Sequence, residues 1–138
     1  CLSRGGAEAL RFFRKRGISM VIKNWREVTP RIVHDCGIDY RLLSGQAFAN
    51  PEIPNCCMKG MYYIAHAMLQ PGMAYEAHAH GDHEEVYYII SGKGEITIDG
   101  TVYPYRDGDA IYIEPGATHS IANTSDEFVI FLAVGTQV

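Results

Sequence analysis

With 138 residues, 47% of them hydrophobic, the chain can build one domain with a substantial core but not two of ordinary size. Its net charge of −4 is uneven: Arg4, Arg11, Arg14, Lys15 and Arg16 against Glu8 give residues 1–19 a balance of +4, so the remainder sums to −8. A body that acidic repels a phosphate backbone, which argues against a nucleic-acid partner. No apolar run reaches the roughly eighteen residues of a membrane span.

The basic head, residues 1–19, lacks the long apolar centre of a secretory signal, since Phe12-Phe13 is too short to serve as one. It reads equally well as part of the native chain or as an extension upstream of a natural start at Met20. Its stretch Glu8 to Arg16 is the only helix candidate in the sequence. The single domain is expected over residues 20–138. Cys1, Cys36, Cys56 and Cys57 show neither metal-site spacing nor the density of a secreted disulfide framework, so a cytoplasmic location is expected. Cys56 and Cys57 fall in a Pro-rich loop that begins at Asn50, and no redox role is assigned to them.

After two irregular stretches, Val21 to Val28 and Arg31 to Gly37, expected to be edge strands or arms, the chain changes character. From Met61 it becomes a series of short β-branched and aromatic runs: Met61 to Leu69, Ala74 to His80, Val86 to Ile90, Glu95 to Ile98, Thr101 to Tyr105, Ala110 to Ile113, His119 to Ala122 and Phe128 to Val134. Eight such runs predict an all-β, closed or nearly closed antiparallel barrel. The punctuation agrees, with Pro71-Gly72, Asp107-Gly108 and Pro115-Gly116 at breaks. Asp99-Gly100 between two alternating runs is the clearest hairpin signal.

Alternation in a strand puts His78 and His80 on one side, spaced for a single ion, and gives Glu76 the same parity. If Gly81 to Glu84 form a loop, Glu85 opens the next strand opposite the pair, with Tyr87 and Ile89 as its face-mates. Glu76, a second carboxylate beside a metal pocket, is the candidate catalytic acid or base. His83 is read as a solvated loop residue. The face used by His66 depends on a register that the sequence leaves open.

The spacing Gly72, five residues, His78, one, His80, four, Glu85, six, Gly92 closely resembles the first motif of the cupin superfamily. The stretch Gly108, Asp109 to Ile113, Glu114-Pro115-Gly116, two residues, His119, three residues, Asn123 resembles the second, with Glu114 where that family usually has proline. The resemblance covers roughly residues 60 to 134 and implies a small antiparallel jelly-roll barrel. It also implies metal ligands at His78, His80, Glu85 and His119. Three imidazoles and a carboxylate without thiolate suit one divalent transition ion: Fe, Mn, Ni, Co, Cu or Zn. Four protein ligands leave positions open for water, O₂ or a substrate.

Small cupins include dioxygenases, isomerases, decarboxylases and lyases. The resemblance therefore implies a metal-dependent enzyme acting on a small polar organic molecule. The alternative is a binding module that holds a sugar or an organic acid without turning it over. Edge strands in need of cover imply a homodimer.

Overall fold

The structure, a computed structural model, describes residues 11–15, 18–45 and 56–138, and the side chains of residues 21–45 and 56–138. In chain order the strands are β1 (Arg11–Lys15), β2 (Ile18–Ile22), β3 (Arg31–Val33), β4 (Gly37–Gly45), β5 (Cys56–Met58) and β6 (Met61–Leu69). They are followed by β7 (His83–Ser91), β8 (Lys93–Ile98), β9 (Thr101–Arg106), β10 (Ala110–Ile113), β11 (His119–Ala122) and β12 (Val129–Gln137). A single 3₁₀ turn, Trp25–Glu27, is the only helical element among the described residues.

The large sheet runs β10-β7-β12-β6-β4-β3, with β5 beside β4, and the smaller one runs β11-β8-β9. All pairings are antiparallel except β4 with β5. Alternation explains how the sheets face each other. Ala65, Ala67 and Leu69 of β6, Tyr87 and Ile89 of β7, and Val129, Phe131 and Ala133 of β12 are buried together against Ile96, Tyr105 and Ile121 of the smaller sheet. This is an all-β jelly-roll barrel. The two-residue hairpin at Asp99-Gly100 joins Ile98 to Thr101, and both turn residues have positive φ, 48° and 81°.

Several expectations are corrected. Arg11–Lys15, within the helix candidate, is a strand, because it pairs residue for residue with Ile18–Ile22. Residues 8–10 and 16 lie outside the described residues. The boundary drawn before Met20 falls inside β2. Cys56 and Cys57 belong to strand β5, whereas residues 50–55 of their supposed loop lie outside the described residues. Cys36, Cys56 and Cys57 are free thiols.

The expected strand Ala74 to His80 is reduced to two isolated bridges to β11, Ala74 with Ala122 and His78 with His119. From Ala74 to His78 is four steps, but from Ala122 back to His119 is three, so the 74–78 side carries one extra residue and the ladder breaks as at a bulge. Tyr75 donates its amide to the Ile121 carbonyl (2.9 Å), and His78 and His119 exchange amide hydrogen bonds (3.0 and 2.8 Å). Asn123 then closes the end of β11: its buried side chain donates to the Leu69 and Glu127 carbonyls and accepts from the Ser125 amide.

Candidate metal centre

The reciprocal bonds between His78 and His119 place their rings side by side, with centroids 4.2 Å apart, and His80 follows on the same segment 4.9 Å from His78. Glu85 enters from β7, buried, with Oε2 3.1 Å from His119 Nε2 and 3.6 Å from His80 Nε2. One donor atom from each of His78, His80, Glu85 and His119 lies within 4.8 Å of the other three, close enough to share one ion.

Local hydrogen bonds prepare the imidazoles. His78 Nδ1 lies 2.8 Å from the Glu76 carbonyl and His119 Nδ1 3.0 Å from the Ala117 carbonyl, so each Nδ1 carries the proton and each Nε2 presents a lone pair. Both Nε2 atoms are buried without a hydrogen-bond partner. At His119 that lone pair faces a carboxylate oxygen, a repulsive arrangement that a cation between them resolves. The residues present therefore fit a divalent ion on their own geometry.

Glu85 is held from its other side. Strands β6, β12 and β7 align Tyr63, Gly135 and Glu85 in one row, and the Tyr63 hydroxyl passes over Gly135 to donate to Glu85 Oε1. A Cβ at Gly135 would lie 2.6 Å from Tyr63 Cε1, so glycine is what lets the phenol cross. Tyr87 donates to Oε2 at 3.3 Å, and burial pushes its own ionisation well above the usual tyrosine range, so it remains a donor.

Burial, followed by the neighbouring imidazoles, pulls His80 down to about 4. Burial also lowers His78, only partly offset by the Glu76 carbonyl. For His119 burial acts downward too, but the contacts to Glu85 and the Ala117 carbonyl outweigh it and leave the residue above its ordinary value. Because ligating imidazoles must be neutral, metal affinity is expected to fall as pH drops through the free-histidine range of about 6 to 7. Metal per chain measured across that range checks this, and retention unchanged down to about pH 5 would refute it.

Glu76 does not share the inward face of His78. The extra residue between Ala74 and His78 cancels the parity, and the residue is exposed; only its backbone carbonyl serves the site. His83, expected in a solvated loop, is buried, because β7 begins two residues before Glu85 and the alternation that points Glu85, Tyr87 and Ile89 inward points His83 inward as well. Its ring lies 4.3 Å from that of His80, and Asp82 holds its Nδ1 at 2.7 Å. That shared parity was the signal available for it. His66 faces outward and stacks on Trp25, with centroids 4.6 Å apart and planes within 1°.

Beside Glu85 lies a cavity of about 70 Å³, whose wall includes His34, Asp39, Arg41, Tyr63 and Phe131. Of these, His34 comes from the turn after β3 and Asp39 and Arg41 from β4, and no motif in the sequence pointed to these three. Asp39 and Arg41 of β4 pair across the sheet with Ala67 and Ala65, whose methyl groups leave room above the inner face. Asp39 is buried, joined to Arg31, and 3.5 Å from Arg41 Nε. The Arg41 guanidinium sits 4.2 Å over the Tyr63 ring. His34, in the left-handed turn, reaches the site's mouth and stacks between Tyr75 and His78, at 4.3 and 4.2 Å.

Comparison with known proteins follows the same division. Residues 65–135, just over half of the chain, match the family described as Cupin domain. A Thermotoga maritima protein named an oxalate-binding protein is 37% identical over 121 residues, 87% of this chain and 96% of its own. Bacillus subtilis oxalate decarboxylase is 35% identical over 78 residues, covering 51% of this chain and 20% of that enzyme. Among solved structures, one titled a predicted oxalate decarboxylase from Thermotoga maritima superimposes with a TM-score of 0.71 at 28% identity, over 85% of this chain and 99% of that one.

Proposed function

We propose that this chain, which belongs to the cupin family, binds one divalent transition-metal ion through His78, His80, Glu85 and His119 and uses it to hold and activate a small organic acid. The observation that carries this reading is the convergence of three imidazoles and a buried carboxylate beside a small cavity. Four protein donors leave coordination positions for a ligand carboxylate, and a bound metal supplies Lewis-acid polarisation there. The protein's own share is to keep the imidazoles in the ligating tautomer, to hold Glu85 through Tyr63 and Tyr87, and to enclose the ligand with the wall that includes Phe131. The similarity to an oxalate-binding protein and to an oxalate decarboxylase supports a short carboxylate as the ligand class.

Elemental analysis of protein purified without affinity-column metal tests the ion, and calorimetry with oxalate tests the ligand. Mass spectrometry of the incubated mixture then separates an enzyme from the alternative, a non-catalytic organic-acid module. Protein that binds neither metal nor oxalate would refute the proposal. Neither nucleic acid nor a membrane belongs to this reading. No helix among the described residues is long and apolar enough to cross a bilayer.

The reading includes a homodimer. Across the outer face of the large sheet, Tyr88 of β7, Leu132 of β12, His66 of β6 and Tyr40 of β4 form one row, flanked by Ile64, Met68, Ile90 and Ile130. Tyr88 and Ile90 are exposed and the others half-buried, so a continuous apolar and aromatic surface faces outward. Leu132→Glu is expected to turn a dimer into a monomer in light scattering while leaving the circular dichroism unchanged. A wild-type monomer at micromolar concentration would remove this part.

A further inference from the structure

Arg41, Asp39 and Glu85 are the charged side chains in the cavity wall. Asp39 is shared by two cations, Arg41 and, from outside the wall, the 41% exposed Arg31, a cluster with a formal sum of +1. Asp39 is engaged mainly by Arg31, whose Nη2 donates to it, whereas Arg41 Nε stands 3.5 Å from the same oxygen and is buried without a hydrogen-bond partner. On the other side of the cavity, Glu85 offsets half the charge of a divalent ion held by neutral imidazoles, which leaves another +1. A guanidinium drawn partly out of water is costly unless paired, and half-buried Arg41 has its Nε without a hydrogen-bond partner.

Arg41 is also positioned as a recognition group is. Its guanidinium is stacked on the Tyr63 ring, and Tyr63 is itself tied to Glu85, so the cation is oriented relative to the metal ligand by a chain of two contacts. Both Arg41 and Glu85 line the same cavity. The cavity, about 70 Å³, is small, which favours a short ligand over a bulky one.

We infer that Arg41 is a specificity-determining residue that holds the carboxylate oxygens turned away from the metal, so that the site selects short dicarboxylates over monocarboxylates. The inference rests on the function proposed above and deepens it. A planar guanidinium presents donors in a fork that matches a carboxylate, so a ligand with a second carboxylate group gains a partner in Arg41 that a monocarboxylate on the metal leaves unused. The division of labour follows the chain: all four metal ligands lie within residues 65–135, while Arg41, Asp39 and His34 come from the hairpin before it. The barrel supplies the ion and the preceding hairpin supplies the choice of ligand.

The test compares malonate with acetate by calorimetry on metal-loaded wild type, Arg41→Lys and Arg41→Gln, with metal per chain measured on each. Arg41→Gln is expected to lose about tenfold or more in malonate affinity while acetate binding and metal content stay within about twofold, as removal of one charge-assisted partner implies. Arg41→Lys, which keeps the charge without the fork, is expected to fall between the two. An unchanged malonate-to-acetate ratio, with metal and acetate still bound, overturns the role of Arg41 and spares the metal reading. A wild type that binds no metal overturns both. Should the variants fail to fold, a crystal structure of the metal-loaded wild type with malonate decides: a free carboxylate on Arg41 upholds the inference, and one directed elsewhere ends it.

Discussion

Replacing His78 and His80 together by alanine is expected to empty the metal centre, leaving no more than background metal per chain in elemental analysis. The pair supplies two of the three imidazoles, and Glu85 with His119 alone make too sparse a shell for retention through purification. His119→Ala leaves three donors and should keep part of the metal, with a loss greater than the roughly 10–100-fold that follows from removing a supporting outer partner. Both variants should fold, because the backbone bonds between residues 78 and 119 do not use the rings and the core lies in the apolar strand faces. Circular dichroism is the control. Full occupancy in the double variant would mean that the ion binds elsewhere.

The second large effect is expected at Phe131, which is 1% exposed and packs between Tyr87 and Tyr75, with ring centroids at 5.0 and 6.4 Å. Phe131→Ala should cost about 3–5 kcal/mol in urea denaturation, the range for deleting a buried aromatic ring whose space cannot collapse. Collapse is hindered here because the neighbours across the sheet, Ala67 and Ile89, are fixed by the ladders on both sides of β12. The same ring lines the cavity, so the variant should also admit larger carboxylates than wild type. A loss below about 1 kcal/mol would show that Tyr75 and Tyr87 close over the gap.

How legible these features were depends on which rule each segment obeyed. β6 from Tyr63 onward, β10 and β11 alternate cleanly, all three strands occur with the limits expected from the sequence, and the Asp99-Gly100 hairpin needs only its two turn residues. β4 was hidden because its inner face carries Gly37, Asp39 and Arg41 in place of apolar residues, so a strand that turns polar groups into a cavity does not look like a strand. Arg11–Lys15 misled in the opposite way: its few residues suit a helix in isolation, and only the pairing with Ile18–Ile22 makes them extended. The cluster of His78, His80, Glu85 and His119 was readable because residue spacing is a local property. The wall around it was not, because His34 and Arg41 reach the site through a hairpin whose register no local pattern specifies.

The extra residue between Ala74 and His78 reaches beyond the parity of Glu76. In an uninterrupted ladder opposite β11, Tyr75 would face Ile121 and Ala77 would face His119; the observed pairing instead slides His78 into that slot. Two residues three positions apart, Tyr75 and His78, can therefore both look inward. Removing Glu76 or Ala77 would restore ordinary alternation with the same two side chains inside, so the segment carries one residue of slack. Length variation arriving from the Pro71-Gly72 turn can be absorbed at this point without displacing the histidines, and the candidate site is insulated from the loop that leads into it.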